Sequence, residues 1–214
     1  MELFQGILSL VVHLDVHLAD AIKTYGQSVH LILFLIIFCE TGLVLTPFLP
    51  GDSLLFLIGT FVARGDFEFI SISCLLIVAA ILGDLVNYLI GTYFGKKVFD
   101  TRRTERRFFK RKYLEKTQLF FERYGAKTIV IARFIPIVRT YAPFVAGAAS
   151  YPYKQFLFFN VLGALIWILS LITTGFLLGE VELVRNNLTA VIFVIIFLSI
   201  SPALVEVIRA RLKN

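Results

Sequence analysis

The chain reads as an all-α integral membrane protein. The expected architecture is an inverted-topology repeat of two re-entrant broken hairpins, each followed by a transmembrane helix. An amphipathic helix precedes the repeat and a further transmembrane helix closes it. Three observations predict this fold. First, the 214 residues are 58% hydrophobic and only 17% charged, with 22 Phe and a mean hydropathy of +0.84, whereas soluble domains run at about 25% charged. Second, the charges are clumped, leaving apolar blocks near 31–62, 70–93, 128–149, 156–178 and 188–208, on the scale of the roughly 20 residues that cross a bilayer core. Third, two of those blocks carry prolines in their middles.

Residues 1–25 come first. Glu2, Ser9, His13, His17, Asp20 and Thr24 recur every three or four positions, which lays a polar stripe on an amphipathic helix able to lie in the membrane interface. The segment lacks a basic start and a small-residue cleavage site, so it is expected to be retained. His13 and His17 are spaced for a shared metal ion, but no further ligand cluster is near, and one wet helix face explains them. Cys39 and Cys74 sit in apolar runs without a pairing pattern and read as small core residues.

Block 31–62 holds Pro47 and Pro50, and block 128–149 holds Pro136 and Pro143. Proline removes a backbone donor and clashes with the preceding turn, so all four are expected helix breaks. Broken backbone at membrane depth is tolerated only where protein or a watery cavity satisfies it.

Charge sets the orientation. The basic loop 94–127 carries twelve Lys and Arg between Lys96 and Lys127 against Asp100, Glu105, Glu115 and Glu122, so it should be cytoplasmic. The C-terminal tail, with Arg209, Arg211 and Lys213, should share that side. Transmembrane helices 156–178 and 188–208 already supply two crossings between these regions. Segment 128–149 must therefore return to the face it entered, as a re-entrant hairpin. Helix 70–93 then leads back to an outer loop, and 31–62 becomes a hairpin dipping from the outer face. Broken hairpins inserted from opposite faces are common among secondary transporters, whose sites lie near the midplane. Anionic lipid headgroups account for the basic loop better than nucleic acid does.

Five ionisable residues lie inside the apolar blocks. Glu40 and Asp52 flank the first break, Arg133 and Arg139 flank Pro136, and Asp84 lies in the helix between. Each costs about 2.5–3.5 kcal/mol at a helix centre. They must pair, face water or meet a charged substrate. The arginine fork suits phosphate oxygens, and carboxylates in apolar surroundings are prone to take up protons. Glu40, Asp52, Arg133 and Arg139 are therefore the candidates for binding substrate and protons. Buried ion pairs holding the hairpins together are the structural alternative. Asp84, Asn87, Tyr88 and Gly91 share one helix face, and Asn160, Gly163, Ala164 and Trp167 share another. Asp84, Asn87, Tyr88 and Asn160 are candidate cavity-lining residues, while helix packing explains the glycines. No nucleophile elbow, HExxH or phosphate loop is present, so no enzymatic activity, metal or cofactor is expected.

The segments FCETGLVLTPFLPGDSLLF (38–56), GDLVNYLIG (83–91), ARFIPIVRTYAPFVAGA (132–148) and FNVLGALIW (159–167) resemble the DedA family of bacterial inner-membrane proteins, in the same order along most of the chain. The resemblance implies a multi-pass protein of the bacterial inner membrane sharing its membrane domain with eukaryotic lipid scramblases. It implies a part in envelope homeostasis and in moving lipids, undecaprenyl phosphate included, across the bilayer. It also assigns Glu40, Asp52, Arg133 and Arg139 to a proton-dependent function. The leading expectation is a flippase or scramblase of phosphate-bearing lipids linked to the proton-motive force, with membrane lipids and protons as partners and oligomers allowed. A proton-coupled transporter of a small ion or drug, and a non-transporting assembly factor, are the alternatives.

Overall fold

The computed structural model describes residues 14–43, 51–100 and 127–182, with scattered positions between 184 and 195. Glu2, Ser9, His13, Pro47, Pro50, residues 101–126 and most of 188–208 lie outside the described residues, as do Arg209, Arg211 and Lys213. Every regular element described is helical. Among the described residues, three helical runs are long and apolar enough to cross a membrane: Val16–Gly42, Phe69–Phe94 and Tyr153–Gly179.

Helix α1 (Leu14–Tyr25) presents His17, Asp20 and Thr24 outward and buries Leu18, as the polar stripe requires. It does not stand apart from the helix that follows. A short 3-10 turn at Gly26–Ser28, with Gly26 at φ +51°, leads directly into α2 (Val29–Gly42). Together they form the 27-residue run from Val16 to Gly42.

The first broken block is interrupted after Gly42, and the chain is helical again in α3 (Gly51–Ala63). At 13 residues, α3 is about 20 Å long, short of the roughly 30 Å hydrocarbon core. Every residue from Gly51 to Val62 except Asp52 is buried, so surrounding protein rather than lipid covers this helix. It stops at a left-handed Gly65 (φ +84°), where Asp66 N–H donates to Phe61 O and Gly65 N–H to Val62 O, both at 3.0 Å. This paired closure satisfies the last carbonyls of the helix.

Helix α4 runs from Phe69 to Asp100, so the expected span 70–93 continues into the first residues of the basic stretch. The second broken block holds α5 (Lys127–Ala132) and α6 (Pro136–Ala148). Between them, Arg133, Phe134 and Ile135 close tight turns back to Val130, Ile131 and Ala132. Ile135 is extended (φ −119°, ψ 106°), as a residue before proline must be, and Pro136 opens α6.

Pro143 does not break its helix, which overturns one expectation. It sits inside a continuous α6. The lost hydrogen bond is outweighed by packing against α4, since a Cβ on Gly91 would lie 2.1 Å from Phe144 O and one on Gly147 would lie 2.0 Å from Tyr88 O. Backbones this close need glycine on both helices. Gly147→Val is therefore expected to destabilise the protein by about 1–3 kcal/mol, read as a lower unfolding temperature in detergent. An unchanged unfolding temperature would contradict this crossing.

Helix α6 ends as α3 does. Tyr151 N–H donates to Ala146 O at 2.9 Å and Ser150 N–H to Gly147 O at 3.0 Å, with Ser150 at φ 55° and Pro152 barring continuation. The last of the three long runs, α7 (Tyr153–Gly179), follows.

The chain divides into two compact units. The first contains Phe48–Leu76 and the chain from Trp167 onward, with the residues up to Ile36. Within it, Gly59 of α3 and Gly175 of α7 meet, a Cβ on either falling about 2 Å from a backbone oxygen of the other helix (2.2 Å from Ile172 O, 2.0 Å from Phe56 O). The second contains Ile37–Pro47 and Ile77–Ile166, and there α6 meets α4 in the same manner.

Candidate functional site

The second unit holds both arginines. Arg133 lies in the break between α5 and α6, and Arg139 lies in the first turns of α6, so the interruption around Pro136 sets where both side chains start. Each is buried, with 1% and 3% of its surface exposed, and each reaches a carboxylate on a different helix.

Arg139 Nη2 donates to Glu40 Oε1. Glu40 is fully buried near the end of α2. An acid of the first broken block thus meets an arginine of the second. Arg133 does not follow this pattern. Its Nη2 donates to Asp84 Oδ2 on α4 and to Asn160 Oδ1 on α7. Asn160 Nδ2 donates in turn to Ile81 O at 3.1 Å, which fixes its amide with the oxygen toward the guanidinium. Gly163, one turn on, makes room for the arginine stem, since a Cβ there would lie 2.9 Å from Arg133 Cδ.

Asp52 belongs to the other unit. It is half-buried in the first turn of α3, where the helix dipole favours a negative charge. Its Oδ1 accepts a hydrogen bond from Trp167 Nε1 at 2.9 Å. Of the four charges singled out from sequence, three are therefore in the second unit with Asp84, and the fourth is in the first with a tryptophan.

The candidate lining residues are all buried and all bonded. Asn87 Nδ2 donates to Thr41 O at 3.1 Å and to Thr140 O at 2.8 Å. The Tyr88 hydroxyl donates to Tyr151 O, and its ring stacks on Phe156 at 4.3 Å between centroids. Tyr88 packs in a small core with Ile129, Ala146 and Phe156. Among the described residues, Asp84 Oδ1 and Asn87 Oδ1 are buried without a hydrogen-bond partner, a costly state for a polar atom. No group of three His, Cys, Asp or Glu side chains among the described residues could hold a metal ion.

Sequence reasoning missed two partners, Asp84 for Arg133 and Trp167 for Asp52. The signal for the first was present: Asp84 and Asn87 lie one turn apart on a spanning helix, and such a face turns inward. For the second, Trp167 ends the stripe begun by Asn160, but nothing local pairs an indole with an acid far away in the chain.

Residues 49–177 match the model of the VTT domain. The chain is 47% identical over 213 residues to Protein DedA of Escherichia coli K12, covering 99% of this chain and 96% of that one. It is 41% identical over 170 residues to an uncharacterized membrane protein of Mycobacterium leprae, 79% and 75% of the two chains. It is 37% identical over 153 residues to Inner membrane protein YqjA of Escherichia coli K12, 71% and 68% of the two. No solved structure matches.

Proposed function

We propose, since this chain belongs to the DedA family of VTT-domain membrane proteins, that it is a flippase or scramblase of phosphate-bearing lipids linked to the proton-motive force. The observation that carries the reading is the pair of buried arginines beside a helix break, each facing a carboxylate from another helix. Burying ion pairs for stability alone is a poor solution, because apolar residues of like volume often do as well. Arginine is suited to exchange a carboxylate for a lipid phosphate, since both offer oxygens to the same planar fork. A carboxylate released from its arginine in a water-poor site is then the natural acceptor of a proton.

The repeat expected from topology is part of the proposal. A 13-residue α3 and a 13-residue α6 end in the same paired closure, and each is followed by a long helix. The exchanged packing supports it as well, α3 against α7 and α6 against α4 through glycines. With the basic stretch 94–127 and the tail facing the cytoplasm, the protein would lie in a bacterial inner membrane, the location that the name of the relative YqjA carries.

A structural reading has one observation in its favour: Asn160 adds a neutral hydrogen bond to an arginine already paired. The test is lipid movement. Purified protein in liposomes of phosphatidylethanolamine and phosphatidylglycerol is expected to bring fluorescent phosphatidylglycerol to the outer leaflet faster than empty liposomes, with a rate that responds to a pH gradient. No acceleration of phosphatidylglycerol or polyprenyl phosphate, with or without the gradient, would contradict the reading. Proton flux that depends on a small ion or drug, without lipid movement, would favour the alternative transporter.

A further inference from the structure

We propose that Asn87 is a positioning residue that joins the two broken segments and so holds Glu40 against Arg139. Its amide nitrogen has two hydrogens, and each bonds a different backbone. One goes to Thr41 O, the other to Thr140 O. Thr41 directly follows Glu40, and Thr140 directly follows Arg139. The two carbonyls held by one amide are thus those next to the two members of the ion pair. With both neighbours being carbonyl oxygens, only the nitrogen of the amide can face them.

Helix α2 ends at Gly42, so Thr41 O lies among its last carbonyls, which have no partner within the helix. Thr140 O lies inside α6, three residues before Pro143. Asn87 therefore ties the end of α2 to the interior of α6.

The stripe around Asn87 points the same way. Gly83, Asn87 and Gly91 recur every four residues along α4, on one face of the helix. A Cβ on Gly83 would lie 1.9 Å from Thr41 Oγ1 and 2.7 Å from Phe38 O, both in α2, and one on Gly91 would lie 2.1 Å from Phe144 O in α6. The glycines bring both backbones to α4, and the asparagine between them binds both. Fully buried, Asn87 sets the reach of Glu40 to Arg139 without touching either side chain's charge.

The inference rests on the transport reading for its consequence and on geometry for its mechanism, and the experiment separates the two. In the full chain with Cys39→Ser and Cys74→Ser, spin labels are attached through Leu43→Cys and Tyr141→Cys, positions each 45% exposed. Distances are measured by pulsed electron resonance in phosphatidylethanolamine and phosphatidylglycerol bilayers. The parent is expected to give one narrow distance, and Asn87→Ala a broadened or shifted one. Asn160→Ala, which acts on Arg133, is expected to leave the distance narrow. Lipid movement by Asn87→Ala should fall by about tenfold to 100-fold and lose its response to the pH gradient. If Asn87→Ala does not fold, Asn87→Ser, which keeps one donor, is measured instead with the same expectation at smaller amplitude. A distance in the asparagine variant as narrow as the parent's overturns the proposal. Should the parent itself move no lipid, the transport reading fails and the spin-label distances alone decide the role of Asn87.

Discussion

Arg133→Ala is expected to lower the stability of the folded protein by about 3–5 kcal/mol and to abolish lipid movement. The stability loss follows from what the substitution leaves behind. Asp84 keeps its burial, at 1% exposure, but loses the guanidinium bonded to its Oδ2. Its Oδ1 already has no partner among the described residues, so the carboxylate would face an apolar interior with neither oxygen satisfied. Asn160 Oδ1 would lose the same donor. Arg133→Lys should recover part of the stability and little of the transport, because an ammonium restores the charge without the planar fork. Thermal unfolding in detergent and the liposome assay measure the two effects side by side. A fully active Arg133→Lys protein would remove the arginine fork from the account.

Glu40→Gln is expected to reduce transport at least as severely while preserving side-chain shape. Arg139, 3% exposed, would then carry a buried charge without its carboxylate, which costs about 3–5 kcal/mol when one partner of a buried pair is removed. Replacing both partners by apolar residues, as in Glu40→Leu with Arg139→Met, should return most of that stability. It should return none of the transport if Glu40 takes up protons and Arg139 meets phosphate. Unfolding temperatures of Glu40→Leu, Arg139→Met and the double variant form a cycle that isolates the pair, and recovery of transport in the double variant would reverse the assignment.

Much of this arrangement was legible in the sequence. The apolar blocks give the long helices, and the interruption before Pro136 follows from the rule that a residue ahead of proline is extended. The inward location of Glu40, Arg133 and Arg139 follows from their cost in lipid. What escaped depends on helix crossings, which local pattern does not encode. Pro143 illustrates this: a rule about one turn foresaw a break, but packing against Gly91 and Gly147 keeps the helix whole. Asp84 is a second case. Its turn of α4 marks it as inward-facing, but that Arg133 is what it meets follows only from the packing within Ile77–Ile166. Asp52 is a third, since nothing local to either residue pairs its carboxylate with the Trp167 indole.

Whether these charges carry cargo or hold the fold is decided most directly by the double variant Asp84→Leu with Arg133→Met. The pair is replaced by residues that need no countercharge, so the variant should unfold at or near the parent's temperature. Fluorescent phosphatidylglycerol movement is then compared with the parent in the same liposomes. The account predicts a folded protein that moves lipid no faster than empty liposomes. A folded double variant that moves lipid at the parent's rate would contradict it and leave the buried pair a purely structural role.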